Sequence, residues 1–300
     1  MGRIGIKTIL VDSIHGSFKI NPHDSIIGRS LKIYGEYAEH EMMLLSNFIE
    51  TGQTIIDVGA NIGTHTVFFA EQVGKGGGVV AIEAQPEIFN LLKQNIILNN
   101  LQNVKAINAA ISSKNYNIKI PIIDYEQEGN FGALSFKIDN IDCYLPTRKT
   151  GISQKIPAIP LDDMNIEACH LLKVDVEGME KEVIDGALKT IDKFRPILYL
   201  ENNYQASSPE LLKLLANINY QPYWHVISYY RPENFNKYVN NIFSTSLELN
   251  LLCRPNELYI NTLGLPAVIE PNQWLPNDIN LKRFELDQLM MIAESFEYKY

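Results

Sequence analysis

The sequence predicts an α/β protein whose parallel sheet is covered by helices on both faces. From Thr54 onward, short apolar runs alternate with helical patterns, which is the rhythm of strand, crossover helix and parallel strand. The runs IIDV, VVAIEA and PILYLE are apolar at consecutive positions, as strands require when neither face meets water.

The elements follow in order. Residues 7 to 34 carry alternating runs, TILVD and GSFKI, broken by PHD at 22–24, and predict a leading β extension. GEYAEHEMMLLSNFIE predicts a helix with Met43, Leu44 and Phe48 on one face. IIDV leads into the helix THTVFFAEQV, and VVAIEA into PEIFNLLKQNIILNN, where Pro86 suits a first helical turn. VKAINAAI, HLLKVDV and PILYLE supply further strands. Residues 113–157 break the rhythm with polar, turn-rich sequence and predict an insertion of small strands and loops on the substrate side. After the helix PELLKLLANI, the runs YQPYWHVISYY and FSTSLELNLLCRP read as two closing strands. In the tail, Leu286, Leu289, Met290, Ala293 and Phe296 fall at helical spacing and predict a C-terminal helix, docked on its own domain or on a second copy in a homodimer. The expected division is a leading extension and helix (1–50), a central domain (51–255) and a tail (256–300).

With 300 residues, 46% apolar content and a net charge of -9, the chain is globular and lacks the basic excess of a broad nucleic-acid surface, so no nucleic-acid partner is expected. Cys143, Cys169 and Cys253 have no CxxC spacing, which points away from a disulfide framework and a zinc site and toward the cytoplasm. The N-terminus lacks a signal-like apolar core, and no run approaches the ~18 apolar residues of a membrane helix. GKGGG at 74–78 precedes a strand and reads as a turn.

The segment DVGANIG asks what it binds. In a dinucleotide fingerprint, glycines stand where backbone approaches a pyrophosphate, but here Asn61 and Thr64 occupy the second and third positions. Asp57 ends the strand and would repel a phosphate. A cationic ligand without phosphate suits the loop better, and S-adenosyl-L-methionine has a sulfonium, an ammonium and a ribose. Glu83, at the end of the next strand, stands where an acid accepts hydrogen bonds from ribose hydroxyls, and no core contact is expected of it. The plainer reading is that the glycines only turn a strand into a helix.

LLKVDVEGMEKEVIDGA at 171–187, taken with DVGANIG, AIEAQP, PLDDM and PILYLE, resembles the FkbM-type methyltransferases from about Gly35 to Pro255. The resemblance implies a class I methyltransferase fold, Rossmann-like, with a seven-stranded mostly parallel sheet, and S-adenosylmethionine as cofactor. It implies that Asp57, Gly59, Asn61 and Gly63 carry the methionine end and Glu83 the ribose. Asn108 and Ala109 would border the adenine, and Asp175 and Glu177 would face the methyl group or the acceptor. The implied reaction is methyl transfer to a hydroxyl of a sugar, glycan or glycolipid precursor.

A hydroxyl must lose a proton as it attacks, and Asp175, Glu177, Glu201 and His225 are the candidate bases. Glu177 is preferred, because Asp175 is expected to meet the cofactor. Acids converging there could hold Mg²⁺, but spacing alone assigns no metal. His225, within YWHVI, reads more readily as a structural, hydrogen-bonded residue of an alternating strand than as a base, and His65, just inside a helix near the cofactor loop, more readily as a solvated helix-start residue. Tyr37 could close over the methionine moiety or simply pack its helix. The competing functions are a nicotinamide-dependent oxidoreductase or epimerase, and a non-catalytic binding module on the same fold.

Overall fold

The computed structural model describes residues 6–134, 149–244 and 246–269. A hairpin opens the chain, β1 (Ile9–Ser13) against β2 (Gly16–Ile20), followed by helices α1 (Ile27–Tyr34) and α2 (Glu39–Leu45). Then come β3 (Thr54–Val58), α3 (Thr64–Val73), β4 (Gly78–Glu83), α4 (Pro86–Leu98) and β5 (Val104–Asn108). The strands β6 (Ala110–Ile111), β7 (Tyr116–Ile123) and β8 (Lys149–Ile159) form a separate sheet in the order β6-β8-β7. The alternation resumes with β9 (Leu171–Val174), α5 (Glu180–Asp185), α6 (Leu188–Phe194), β10 (Ile197–Glu201) and α7 (Ser208–Asn217). It closes with β11 (Tyr220–Ser228) and β12 (Leu247–Pro255).

The central sheet has seven strands in the order β11-β12-β10-β9-β3-β4-β5, parallel from β10 to β5 and antiparallel where β12 and β11 finish one edge. This is the α/β class read from the sequence. Successive residues of each strand supply opposite faces, which is why the runs are apolar at both parities. Ile56, Val58, Leu172 and Leu200 pack with Val183, Ile191 and Leu212 of α5, α6 and α7. Ile55, Leu171 and Tyr199 pack with Met42, Phe69 and Val73 of α2 and α3.

The leading segment is only partly β. Ile27, Leu31 and Tyr34 recur at helical spacing and are buried, and Gly35, left-handed at φ +69°, caps the resulting helix α1. The hairpin before it is fastened to α4 by two asparagines one turn apart. Asn95 Oδ1 accepts from the Lys19 N–H at 2.8 Å while its Nδ2 donates to the Lys19 carbonyl at 3.2 Å. Asn99 repeats this on Ser17, at 3.0 and 2.8 Å.

The insertion is a small sheet where it is described. Residues 135–148, which include Cys143, and the expected C-terminal helix lie outside the described residues. Among those described, no helix is long and apolar enough to cross a membrane.

Candidate active site

The chain order of the sheet reverses between β3 and β9, and open α/β sheets bind ligands beyond the carboxyl ends of the strands at such a point. A cavity of about 320 Å³ lies there, walled by the turns after β3, β4, β5, β9 and β10.

Its floor is the turn after β3. Gly59 has φ +82°, and a Cβ at this position would collide with the Asp175 carbonyl, so the turns after β3 and β9 approach this closely only because Gly59 is glycine. Asn61 is also left-handed, and its N–H donates to Glu83 Oε2 at 3.0 Å. Glu83 Oε1 accepts from the Gln85 N–H at 2.7 Å. The carboxylate therefore ties two turns together while lining the cavity, and it is 6% exposed. Burial pushes its carboxyl up to about 7, against the pull of those two N–H groups. The expectation that Glu83 makes no core contact is corrected by these bonds.

Three residues expected at the ligand stand behind the wall instead. Asp57 is fully buried and does not line the cavity, because its strand position points it at α3, where Oδ2 accepts from Thr66 Oγ1 at 2.6 Å. Gly63, at φ +96°, lies where a Cβ would come within 2.7 Å of Leu92, so its glycine serves the packing of α3 on α4. The Asn108 side chain turns back and donates to the Glu83 and Ala84 carbonyls at 2.8 and 3.1 Å, bracing the turn after β4. Gly59, Asn61, Glu83, Ala109 and Asp175 do line the cavity.

Sequence reading passed over Lys173. It pairs in register with Asp57 across β9 and β3, is 2% exposed, and lines the cavity. Its Nζ lies 3.0 Å from Asp175 Oδ2 and 3.9 Å from Asp57 Oδ1. Burial alone would lower its pKa, but Asp175, Asp57 and Glu41 outweigh burial and raise it, so the ammonium is retained.

Beyond Lys173 the wall is acidic. Glu177, left-handed at φ +56°, accepts from the Tyr204 hydroxyl at 2.7 Å. Burial, followed by Asp175, pushes its carboxyl up to about 8. Glu201 Oε2 accepts from the Glu177 N–H at 3.3 Å and Oε1 from Asn203 at 2.6 Å. Burial, then Glu177 and Asp175, hold Glu201 well above the carboxylate range. Glu248 on β12, also missed in the sequence, is 5% exposed and joins this wall. The only signal for Glu248 was an acid at one parity of a closing strand.

His225 is corrected as a candidate base. It is fully buried, its Nδ1 is 2.8 Å from the Tyr199 hydroxyl, and it does not line the cavity. Burial holds its ring down to about 3. His65 does reach the wall, with Nε2 2.9 Å from Glu41 Oε2 but off the direction of a hydrogen bond; burial holds it to about 3. Tyr37 and Tyr229 stack at 5.8 Å between centroids and 17° between planes, and both line the cavity. The insertion closes another side, where Gln85 Nε2 donates to the Phe131 carbonyl at 2.8 Å and Tyr125 donates to Gln85 Oε1 at 3.1 Å.

Comparisons with known proteins bear on this geometry. A stretch of 59 residues is 42% identical to "Probable ribosomal RNA small subunit methyltransferase A" of Methanosphaera stadtmanae, covering 20% of this chain and 21% of that protein. A 59-residue stretch is 34% identical to the protein-L-isoaspartate O-methyltransferase of Methanococcus maripaludis, covering 20% of this chain and 28% of that one. The chain thus matches about a quarter of the length of these relatives. Among solved structures, methyltransferase FkbM from Methylobacillus flagellatus superposes with a TM-score of 0.40 at 18% identity, covering 68% of this chain and 43% of that one. The family described as the methyltransferase FkbM domain matches residues 57–222. That span is more than half of the 300 residues, and the chain belongs to the FkbM family of S-adenosylmethionine-dependent methyltransferases.

Proposed function

We propose that this protein transfers the methyl group of S-adenosyl-L-methionine to a hydroxyl of a sugar, glycan or glycolipid precursor. The observation that carries this reading is a single cavity lined by Glu83 and the Gly59 turn and, against that turn, by Asp175, Glu177 and Glu201. A donor whose sulfonium and ammonium outweigh its carboxylate suits a wall of five carboxylates and one lysine; a pyrophosphate does not. Glu83 fits the ribose, since its carboxylate is already oriented by two N–H groups. Ala109 fits the adenine edge, and Gly59 and Asn61 fit the methionine end. Asp57 acts at one remove, by holding Lys173.

The donor supplies an electrophilic methyl carbon. In the transfer, the acceptor oxygen bonds to that carbon, the carbon–sulfur bond breaks with its electron pair going to sulfur, and the hydroxyl proton passes to Glu177. Because the leaving thioether is neutral, positioning carries much of the rate. Raised to about 8 by burial, the Glu177 carboxyl is a stronger base than an ordinary carboxylate but is ionised, and able to receive the proton, chiefly above that pH, so turnover is expected to rise toward pH 8. A small or glycan acceptor is favoured over RNA, whose phosphates would meet the same acids and a chain of net charge -9. We assign residues 51–255 to the methyltransferase domain, with the β6-β8-β7 sheet shaping the acceptor side.

The test is release of S-adenosylhomocysteine against a panel of hydroxyl-bearing glycans and small alcohols, with Glu177→Gln as the control. Donor binding without turnover on any acceptor would support a binding module, and stabilisation by NAD but not by the methyl donor would support the oxidoreductase reading.

A second measurement addresses Glu83. Ribose hydroxyls donate to the ionised carboxylate, and this acid, raised to about 7, is ionised only above that pH. Affinity for the donor is therefore expected to rise with pH, with about a tenfold gain from pH 6 to pH 8. Calorimetry should show that gain in the parent and a flat profile in Glu83→Gln. A parent profile as flat as the variant's would remove Glu83 from the donor site.

A further inference from the structure

We infer that Tyr37 and Tyr229 form an aromatic platform that receives the C–H face of a sugar ring and so selects the acceptor, a reading that rests on the methyltransferase assignment. Of the four aromatic residues in YWHVISYY at 223–230, Tyr229 alone lines the cavity, and Tyr37 reaches it from the linker between α1 and α2. Both are half-buried. Both also lie outside residues 57–222, the span matched by the family, whereas Gly59, Asn61, Glu83 and Ala109 lie inside it. The wall proposed for the common donor is thus built from shared sequence, and the platform from sequence beyond it.

The stacked pair is firmly held. Tyr229 meets Phe243 edge-on, at 5.4 Å between centroids and 62° between planes, and Phe243 meets the buried Tyr34 in the same manner at 5.9 Å. The chain beside each tyrosine is clasped to the other. Glu36, one residue before Tyr37, accepts from Nε and Nη2 of Arg231, two residues after Tyr229, at 2.9 and 2.8 Å. It also accepts from the Phe235 N–H at 2.8 Å. Glu36 is 3% exposed, so this forked pair is an internal joint that fixes the two segments together.

The surroundings choose the class of ring. The face of an aromatic ring is slightly negative and attracts the slightly positive hydrogens bound to carbon. Burial, then the Glu248 and Glu201 charges, hold the Tyr229 phenol well above its ordinary range, so it stays protonated and donates to Glu248. The platform therefore stands beside carboxylates, which accept hydrogen bonds from hydroxyls. A planar aromatic acceptor would use the rings and leave the acids unmatched, and a linear alcohol would use the acids and leave the rings bare. A pyranose offers both, with C–H groups on a face and hydroxyls around its rim.

The test is saturation-transfer NMR on the full chain with S-adenosylhomocysteine bound, irradiating the protein's aromatic protons and using methyl β-galactopyranoside, methyl β-glucopyranoside and phenol as probes. Saturation of the ring C–H protons on one face of a glycoside is expected. Tyr229→Leu and Tyr37→Leu should each weaken glycoside binding about tenfold, while Tyr229→Phe, which keeps the ring, should stay within about threefold of the parent. Tyr259→Ser, at a tyrosine that is 97% exposed, is the control and should match the parent. Circular dichroism melts establish that each variant is folded, and either leucine variant suffices. Saturation of phenol but of neither glycoside, or of no probe at all, overturns the platform, as does parent-like glycoside binding in a folded leucine variant. Calorimetry with S-adenosylmethionine separates the two readings: donor binding without glycoside contact sinks the platform alone, and absence of donor binding counts against the methyltransferase assignment.

Discussion

Lys173→Met is expected to destabilise the protein by about 3 to 5 kcal/mol, the range for removing one partner of a buried ion pair. The size follows from what stays behind. Asp57 is fully buried, and its Oδ1 has no hydrogen bond, with the Lys173 ammonium 3.9 Å away as its counter-charge. Asp175 loses its 3.0 Å partner as well, and Glu41, also buried, contributes to the same negative field. Methionine fills nearly the volume of the lysine stem, so packing loss contributes little and the charge dominates. Urea unfolding of the parent, Lys173→Met, Asp57→Asn and the double variant measures the coupling directly. The double variant should recover part of the loss, since it removes the stranded carboxylate with the ammonium. A Lys173→Met variant within about 0.5 kcal/mol of the parent, the scatter of an ordinary surface change, would show that the pair does not hold the two strands' ends.

Gly59→Ala is expected to cost about 3 kcal/mol or more and to reduce donor affinity at least a hundredfold. Left-handed backbone penalises a side chain by about 1 to 3 kcal/mol at any site. At Gly59 the added carbon also meets the Asp175 carbonyl, which is backbone and can yield only if the turn after β9 moves. Gly52 provides the control: its φ of +90° is equally unusual, yet nothing lies within 4 Å of its imagined Cβ. Gly52→Ala should therefore show the conformational penalty alone and leave donor binding intact. Equal losses at the two glycines would mean that the contact between the turns is not what fixes the cavity floor.

Much of this architecture was legible in the residues. The strands β3, β4 and β10 announce themselves because a strand buried on both faces has no polar parity to blur it. Pro86 marked the start of α4, and the apolar run of β4 placed Glu83 at the strand's end, but nothing in the spacing showed that its carboxylate ties two turns together. Helix α1 was missed because SIIGRSLKIYG is short and its apolar residues also suit a strand; Gly35 was the overlooked stop signal. Lys173 was invisible for a different reason. A lysine inside a strand ordinarily faces water, and only the pairing of β9 with β3 places it beside Asp57. The same register explains why Asp57 was misjudged: the sequence gives its distance from the loop, but only the neighbouring strand and α3 decide which way the carboxylate points. Glu248 and Tyr204 come from chain segments remote from the motif, and no spacing rule connects them to Glu177.

The asparagine pair that fastens the hairpin has a wider meaning. A primary amide has an acceptor oxygen and two N–H donors, so Asn95 and Asn99 can each turn one donor and the acceptor to β2, as a neighbouring strand would, and keep the second donor for another partner. Four residues of helix rise about 6.0 Å and two residues of strand about 6.6 Å, close enough for the two elements to match over one repeat and no further. A helix here impersonates a strand for the length of a single step. The outer margin of the hairpin is thereby filled by a surface that cannot propagate, and β2 is withheld from pairing with strands of other molecules, the usual hazard of an open margin. Asn95 also donates to the Ile62 carbonyl at 2.8 Å, so the side chain that blocks growth at one end steadies the turn after β3 at the other.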